Sequence, residues 1–338
     1  MPGTDGFRYY CAFTADSRML RAFVALSLQG KTMKRIFIGL FVHILMSPLA
    51  HAEWVDEANH EAFFIEVEDT TKLEVLDWGG DNKPVLFLLA GMPMNAHTYD
   101  EFAAHFTDDF RVVALTRIGH GNSEPPKNGD FSIERLATDI ISSLDSLDIE
   151  KAIFAGHSFA GFELTYLGKH FPERVNGLIY IDAVQAYEHI PEIGEHCPDV
   201  AQASIDIFKY KESFYNTQRV LDDDGNYLPF ADLNTLNKLF EHDNVTPDYR
   251  GITVPSISIN HLPEQTEDLL LGVGEPGQAC FEALNKMNYL GIARFVSQMG
   301  NADVAAIQRS QHVIHMVTPN KLAAIMKNWI AREITTSQ

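Results

Sequence analysis

Continuous hydrophobic runs recur along the chain. Residues 84–90, 111–115, 151–155 and 175–181 are predominantly apolar and do not alternate with polar positions. Strands that are buried on both faces of a parallel sheet have this pattern, whereas strands with one exposed face alternate. The four runs therefore predict the interior strands of a parallel sheet.

Helical patterns lie between and after these runs. Ser132 precedes apolar residues that recur every three or four positions, which predicts a capped amphipathic helix. Residues 98–106 have a shorter helical pattern, and residues 320–332 predict a closing helix. The apolar face of the first helix would hold Ile133, Leu136, Ile140, Leu144 and Leu147.

Further strand patterns flank the interior runs. Residues 62–67 and 73–78 predict two antiparallel strands joined by a turn, and residues 252–259 and 302–308 predict the last strands of the sheet. Strands that alternate with helices in this way predict an α/β fold with a mostly parallel central sheet and helices on both faces. Residues that act on a substrate are then expected beyond the carboxyl ends of the strands.

The alternation of strands and helices is lost between residues 183 and 250. No apolar strand run occurs there, and aromatic residues are scattered through the stretch. We expect a helical cap, inserted at about residues 184–250, that lies over the strand ends. A small core of its own would account for most of these aromatic side chains, while a few that face the site would be enough to form a pocket.

The amino-terminal region predicts export. Met33 and the basic pair after it precede an apolar run at residues 36–45, and a small-residue motif ends at Ala52. These are the three parts of a secretory signal peptide. A membrane anchor is the alternative, but this run is shorter than the roughly 20 residues that span a bilayer. We therefore expect residues 33–52 to be a signal peptide that is cleaved after Ala52.

A signal that begins at Met33 leaves residues 1–32 as an arginine-bearing extension, which we expect to be misassigned. Whether Met1 or Met33 begins the protein stays open. Residues 53–338 would then form the mature protein, secreted or periplasmic and with no stable membrane span. The net charge of -20 argues against nucleic acid and anionic membrane as partners. A small-molecule substrate is the expected partner, and the oligomeric state stays open.

Removal of the leader would leave two of the three cysteines, Cys197 and Cys280. An even number of cysteines in an exported protein suggests a disulfide between them. Two buried free thiols are the alternative.

The candidate nucleophile is Ser158, which stands in the sequence Phe-Ala-Gly-His-Ser-Phe-Ala-Gly directly after an apolar strand. Gly156 and Ala160 allow a turn that is too tight for larger side chains, and a helical pattern follows the turn. Such a nucleophile elbow exposes the serine hydroxyl at the end of the strand, beside a backbone N–H group and the positive end of the helix.

Five motifs in order resemble the landmarks of the α/β-hydrolase fold superfamily. They are residues 89–93, 115–123, 156–161 and 180–183, and a Gln-His pair at 311–312 followed by Pro319. The sequence departs from the family's pattern at Ala90, where a histidine is usual, and at Ala160, where a glycine is usual. Neither departure removes a reacting group. The change at Ala90 is expected to alter how the loop that contains it is braced.

The resemblance implies a catalytic triad with Ser158 as nucleophile. His312 is the expected base, because it follows the last strand and its step to Pro319 matches the family's terminal histidine loop. Most relatives take the acid from the loop where Glu264 stands in this chain. A minority take it from the end of the preceding strand, where Asp182 stands, and we favour Asp182 with Glu264 as the alternative.

Other groups complete the expected site. The oxyanion hole would be formed by the backbone N–H groups of Met92 and Phe159. His157 is expected to brace the elbow and His315 to support the base. No cofactor or metal is expected. His189, Glu192 and His196 have a spacing that could place them on one face of a helix as metal ligands, but a proline and a glycine between them disfavour a regular helix.

These residues predict an exported serine hydrolase that cleaves a carboxylic ester or lactone of a small to medium, partly apolar substrate through an acyl-enzyme. A carbon–carbon hydrolase or a lyase could use the same triad. A protein that binds a ligand on this fold without catalysis is a further alternative.

Overall fold

A computed structural model describes residues 59–92, 94–189, 196, 246–262 and 278–334. All of them belong to one unit of the chain, Trp54–Gln338. The predicted extension and signal peptide, residues 190–195 and 197–245 of the predicted cap, and Glu264 lie outside the described residues.

Within the described ranges, eight strands form one sheet. The strands are β1 (Glu61–Glu66), β2 (Lys72–Asp77), β3 (Val85–Leu89), β4 (Arg111–Leu115), β5 (Ala152–His157), β6 (Val175–Ile181), β7 (Ser256–Leu262) and β8 (Ala302–Gln308). Their order in the sheet is β1-β2-β4-β3-β5-β6-β7-β8. The first two pairings, β1 with β2 and β2 with β4, are antiparallel, and all pairings from β4 to β8 are parallel.

The sheet is covered on both faces, which confirms the predicted fold class. Alternate residues of β3 point to opposite sides, with Phe87 in one hydrophobic core and Leu88 in the other. The helices are α1 (Ile133–Ser146), α2 (Ala160–His170), α3 (Gln278–Gln298), α4 (Ile314–Val317) and α5 (Pro319–Glu333). Helices α1, α2 and α3 contribute to the first core, and α5 packs against the second.

Two predicted elements differ in detail. The segment at residues 98–106 forms two short 3-10 helices, Ala96–Tyr99 and Ala103–His105, instead of one helix. A 3-10 turn places residues three apart in line, which suits the contact between His97 and Asp100. Strand β7 begins at Ser256, four residues later than predicted, because the preceding proline has no N–H group for the sheet ladder.

The predicted helix cap at Ser132 is confirmed, since its hydroxyl accepts a hydrogen bond of 3.2 Å from the N–H group of Arg135.

The parallel strands place their carboxyl ends at one edge of the sheet. Ser158 follows β5, Asp182 follows β6 and His312 follows β8 within four residues. In the part of the chain that the structure describes, no helix is both long and apolar enough to cross a membrane.

Candidate active site

Ser158 occupies the turn between β5 and α2. Its φ angle is 52°, in the left-handed region that residues other than glycine rarely adopt. Hydrogen bonds on both sides hold the turn, because the Ser158 N–H donates to Ile181 O at 3.1 Å and Gly161 N–H donates to Ser158 O at 2.9 Å. A strained serine at a strand-to-helix turn is the geometry of a nucleophile elbow.

Close packing explains the small residues of this turn. A β-carbon on Gly156 would lie 2.9 Å from that of Ala160, and one on Gly161 would collide with the carbonyl oxygen of Ala183. Alanine at 160 is accommodated because Gly156 opposite it has no side chain. The departure from the usual glycine therefore leaves the elbow intact.

His312 lies between Ser158 and Asp182. Its Nε2 atom is 2.9 Å from Ser158 Oγ, and its Nδ1 atom is 2.5 Å from Asp182 Oδ2. Because an ionised carboxylate only accepts hydrogen bonds, Nδ1 carries the proton and Nε2 is free to accept the serine proton. The structure thus brings together the three predicted triad residues in the order that activation of a serine requires.

Asp182 is held at the end of β6 by the neighbouring strand. Its side chain is 1% exposed, against 38% for His312. Its N–H group donates a hydrogen bond of 2.8 Å to Ile259 O in β7, and its φ angle of 45° turns the chain away from the strand direction. The alternative acid, Glu264, lies outside the described residues.

A second imidazole contacts the same carboxylate. His261, in β7, donates from Nδ1 to Asp182 Oδ2 at 2.6 Å and from its backbone N–H to Asp182 Oδ1 at 3.1 Å. Burial raises the pKa of Asp182, but His261 and His312 outweigh burial and hold that pKa well below its ordinary value. Asp182 is therefore ionised across the neutral pH range. Sequence reasoning missed this contact of His261.

The two further histidines beside the triad are buried. His157 donates from Nε2 to the backbone carbonyl of His312 at 2.9 Å, and His315 Nε2 lies 2.9 Å from Thr98 Oγ1. Burial, with a smaller contribution from His312, lowers the pKa of His157 well below its ordinary value and that of His315 to about 3. Both imidazoles are therefore neutral at pH 7, and His157 braces the loop that carries His312.

The predicted oxyanion loop approaches Ser158 closely. A β-carbon on Gly91 would lie 3.0 Å from Ser158 Cβ and would collide with the ring of His157, so only glycine fits there. Met92 follows directly and is half-buried against the first core. Phe159 is buried at the start of α2. The use of the Met92 and Phe159 N–H groups as oxyanion donors stays a prediction.

A buried ion pair braces the loop at Ala90. Arg117 donates to both carboxylate oxygens of Glu163 in α2, at 2.7 and 2.8 Å. It also donates from Nη2 to the carbonyl oxygen of Ala90 at 2.7 Å, and its guanidinium lies 5.2 Å from the ring centre of Phe159. Arg117 thus links the loop before Met92 to α2. It does so in a chain that has Ala90 where a histidine is usual.

Tyr187 is the described part of the predicted cap that reaches the nucleophile. Burial raises the pKa of its hydroxyl, with the Ser158 side chain acting in the opposite direction, and the hydroxyl donates a hydrogen bond of 3.1 Å to Gln185 Oε1. Its ring packs on Phe162, with 5.1 Å between the ring centres. Sequence reasoning had counted Tyr187 among the scattered aromatic residues without assigning it to the site.

Two groups of described side chains have the composition and spacing of metal ligands. One is Asp182, His261 and His312, and the other is His60, His97 and Asp100. In the first group, Asp182 Oδ2 lies 2.6 Å from His261 Nδ1 and 2.5 Å from His312 Nδ1, which are hydrogen-bond distances. Glu192, which the sequence spacing grouped with His189 and His196 as a candidate metal ligand, lies outside the described residues.

Cys280 is buried in α3 and takes part in a disulfide. The other two cysteines of the chain, Cys11 and Cys197, lie outside the described residues. Pairing of Cys280 with Cys197 stays a prediction.

Comparisons with known proteins agree with this fold. A family model for the alpha/beta hydrolase fold matches residues 84–222. The chain is 35% identical over 107 residues to 3-oxoadipate enol-lactonase 2 of Acinetobacter baylyi, which covers 32% of this chain and 40% of that protein. It is 30% identical over 109 residues to epoxide hydrolase 1 of Caenorhabditis elegans, which covers 32% of this chain and 27% of that protein.

The similarity to solved structures extends further along the chain. The enol-lactonase from Burkholderia xenovorans superposes with a TM-score of 0.56 at 18% identity, covering 80% of this chain and 100% of that one. At this identity the likeness shows the fold alone. The chain spans less than half the length of the two curated relatives.

Proposed function

We propose that this chain, which belongs to the α/β-hydrolase fold superfamily, is a serine hydrolase that cleaves a carboxylic ester or lactone through an acyl-enzyme. The observation that carries the proposal is the contact of 2.9 Å between His312 Nε2 and Ser158 Oγ. A serine hydroxyl is a weak nucleophile at neutral pH, and a base at this distance can take its proton during attack.

The first half of the reaction would proceed by attack of Ser158 Oγ on the carbonyl carbon of the substrate. The serine proton passes to His312 Nε2, and the buried carboxylate of Asp182 stabilises the imidazolium that results. The Met92 and Phe159 N–H groups would donate to the carbonyl oxygen as it becomes negatively charged. When the tetrahedral intermediate collapses, the carbon–oxygen bond breaks and the leaving oxygen takes the proton from His312.

In the second half, His312 takes a proton from water, and the resulting hydroxide attacks the acyl-enzyme. Collapse releases the carboxylic acid and returns the proton to Ser158. For a linear ester the alcohol leaves before this step. For a lactone both groups stay in one molecule, so the ring-opened hydroxy acid leaves only after the acyl-enzyme has been hydrolysed.

Aromatic side chains around Ser158 support a partly apolar substrate of small to medium size. Phe159, Phe162 and Tyr187 line the first turn of α2, while the Tyr187 hydroxyl supplies a polar contact. Similarity to the Acinetobacter enol-lactonase makes a lactone, or an ester of similar size, the substrate class to test first.

Similarity to an epoxide hydrolase does not favour epoxide opening by this chain. A route through an alkyl-enzyme ester needs a carboxylate nucleophile, and the residue at the elbow is Ser158. A carbon–carbon hydrolase or lyase that uses the same three side chains remains the second candidate, because proton transfer between Ser158 and His312 serves either reaction.

The test is hydrolysis of chromogenic acyl esters of increasing chain length, with a set of lactones assayed in parallel by proton release. We expect turnover of short to medium acyl groups or lactones, and its loss in Ser158→Ala with the fold preserved. Turnover that persists in Ser158→Ala would refute the assignment of the nucleophile. Binding of these compounds without turnover in the wild type would favour the non-catalytic alternative.

We also propose that the mature protein is exported after cleavage behind Ala52, on the strength of the leader pattern at residues 33–52. Amino-terminal sequencing of the protein recovered from the periplasm and the medium should begin at Glu53. Recovery in the cytoplasm with residues 33–52 still attached would contradict export.

A further inference from the structure

The carboxylate of Asp182 is shared between two histidines. Its Oδ2 atom accepts one hydrogen bond from His312 Nδ1 at 2.5 Å and another from His261 Nδ1 at 2.6 Å. Its Oδ1 atom accepts a third, of 3.1 Å, from the backbone N–H of His261. The triad acid is therefore bound to His261 at both of its oxygens and to His312 at one.

We propose that His261 is a positioning residue that fixes the carboxylate of Asp182 and limits how strongly this carboxylate stabilises protonated His312. The proposal rests on the proposed function, in which Asp182 supports His312 as the base. His261 is not the base itself, because the imidazole within hydrogen-bond distance of Ser158 Oγ is that of His312.

The sheet places His261 more firmly than the loop places His312. Strands β6 and β7 pair in parallel with Ile181 opposite Ile259, and His261 is two residues further along β7. His261 is also paired with Ile307 of β8 on its other side and is 4% exposed. The imidazole of His312 stands in a loop and is 38% exposed.

Turnover depends on His261 being held more rigidly than His312. His312 must accept a proton from Ser158 and deliver it to the leaving oxygen, so its ring needs some freedom of movement. Asp182 would lose its orientation whenever that ring moved if His312 were its only partner. Two hydrogen bonds from the rigid strand residue hold the carboxylate in place throughout the cycle.

Sharing one oxygen between two N–H donors also divides the stabilisation that the carboxylate can give. A hydrogen bond from His261 draws negative charge towards β7, so the attraction between Asp182 and protonated His312 is weaker than with His312 alone. Among the described residues, the other titratable rings beside the triad are His157, with its centre 4.7 Å from that of His312, His315, whose centre is 4.9 Å from that of His157, and Tyr187. Burial keeps all three neutral at pH 7, so Asp182 is the charged side chain that His312 contacts within the described part of the chain.

The test compares His261→Asn with His261→Leu in the full chain. The amide nitrogen of asparagine can occupy the place of Nδ1 and donate to Asp182, while leucine has a similar size and cannot donate. For the most rapidly hydrolysed chromogenic ester, we expect His261→Leu to lower kcat roughly 10- to 100-fold with KM changed less than about twofold. We expect His261→Asn to restore kcat to within about threefold of the wild type.

The pH profile separates this role from simple packing. In His261→Leu the acid limb of kcat/KM should move to higher pH by about one unit or less, because Asp182 then interacts with His312 alone. In His261→Asn the limb should stay near that of the wild type. Equal losses in both variants with an unmoved acid limb, or wild-type kinetics in both, would overturn the proposal.

A measurement on the wild type covers the case in which both variants fail to fold. Proton NMR should show two strongly deshielded imidazole N–H signals, and His312→Gln should remove one of them. A single such signal in the wild type would overturn the shared carboxylate. Absence of any Ser158-dependent turnover in the wild type would instead refute the proposed function.

Discussion

The Nε2 atom of His312 lies 2.9 Å from the Oγ atom of Ser158, although 154 positions separate the two residues in the chain. Two parallel strands, β5 and β8, end at the same edge of the sheet and deliver them there. The strand order therefore brings together the two loops that carry these residues. A change within either loop can still separate the two side chains without loss of the fold.

The choice of Asp182 as the acid can be tested by substitution. Asp182→Asn should lower kcat roughly 10³- to 10⁴-fold, because an amide can donate to His312 Nδ1 and thereby favour the tautomer with its proton on Nε2. Glu264→Gln, assayed at saturating substrate, serves as the comparison and should stay within about threefold of the wild type. Collapse of Glu264→Gln alone would transfer the role to that residue.

Tyr187→Phe tests whether the cap residue beside Ser158 contributes to turnover. The substitution removes a hydroxyl near Ser158 and leaves the buried Gln185 Oε1 without this donor. We expect kcat/KM to fall roughly 3- to 10-fold, which corresponds to about one hydrogen bond. Tyr166→Phe, on the half-buried ring that stacks on His170, is the matched control and should have no effect. Unchanged kinetics in Tyr187→Phe would exclude a role for its hydroxyl.

The buried cluster around His97 predicts loss of stability at alkaline pH. Its Nε2 atom lies 3.5 Å from Glu74 Oε1, and its Nδ1 atom lies 3.3 Å from Asp100 Oδ2. Burial lowers the pKa of His97, but the two carboxylates outweigh burial and raise it to about 10. Because the pKa is higher in the folded than in the unfolded protein, this stabilisation is complete below the ordinary value of 6.5 and is lost as the pH rises towards 10.

The free energy of unfolding should therefore fall between pH 7 and pH 10 in the wild type, as measured by urea denaturation. His97→Gln should lower it by about 3–5 kcal/mol at pH 6 and should flatten this dependence, because the buried carboxylates lose their cation. His170→Gln, on the exposed ring at the end of α2, is the control. A wild-type curve that is flat from pH 7 to pH 10 would contradict a protonated His97.

Replacement of Arg117 should destabilise the loop that precedes Met92. Arg117→Ala leaves the carboxylate of Glu163 buried without its partner and the carbonyl of Ala90 without its donor, so we expect a loss of about 3–5 kcal/mol in the free energy of unfolding. Arg117→Lys keeps the charge but not the paired geometry and should lose less. Equal stability of all three proteins in urea would show that the ion pair does not brace this loop.

The fold could be predicted from the sequence because its signals are local. The apolar runs of β3 to β6 and the periodic face of α1 repeat along short stretches. Ser158 was also recognisable, since a tight turn demands small neighbours at Gly156 and Ala160. His312 could be placed because it follows the last strand at a fixed distance from Pro319.

No local sequence pattern indicates which single side chains contact each other across the fold. His261 meets Asp182 only because Ile181 and Ile259 pair across β6 and β7, a register that the sequence does not specify. The cluster of His97 likewise joins Glu74 of β2 to a 3-10 turn, and each residue looks ordinary in its own segment. The sequence therefore did not predict the contact of His261 with Asp182 or those of His97 with Glu74 and Asp100.

Covalent labelling by a fluorophosphonate, followed by mass spectrometry of the labelled peptide, shows whether His312 activates Ser158. We expect one adduct, on Ser158, and a labelling rate that falls at least about 10³-fold in His312→Gln, because the hydroxyl loses its base. Labelling at another residue, or labelling of Ser158 at an unchanged rate in folded His312→Gln, would contradict this expectation.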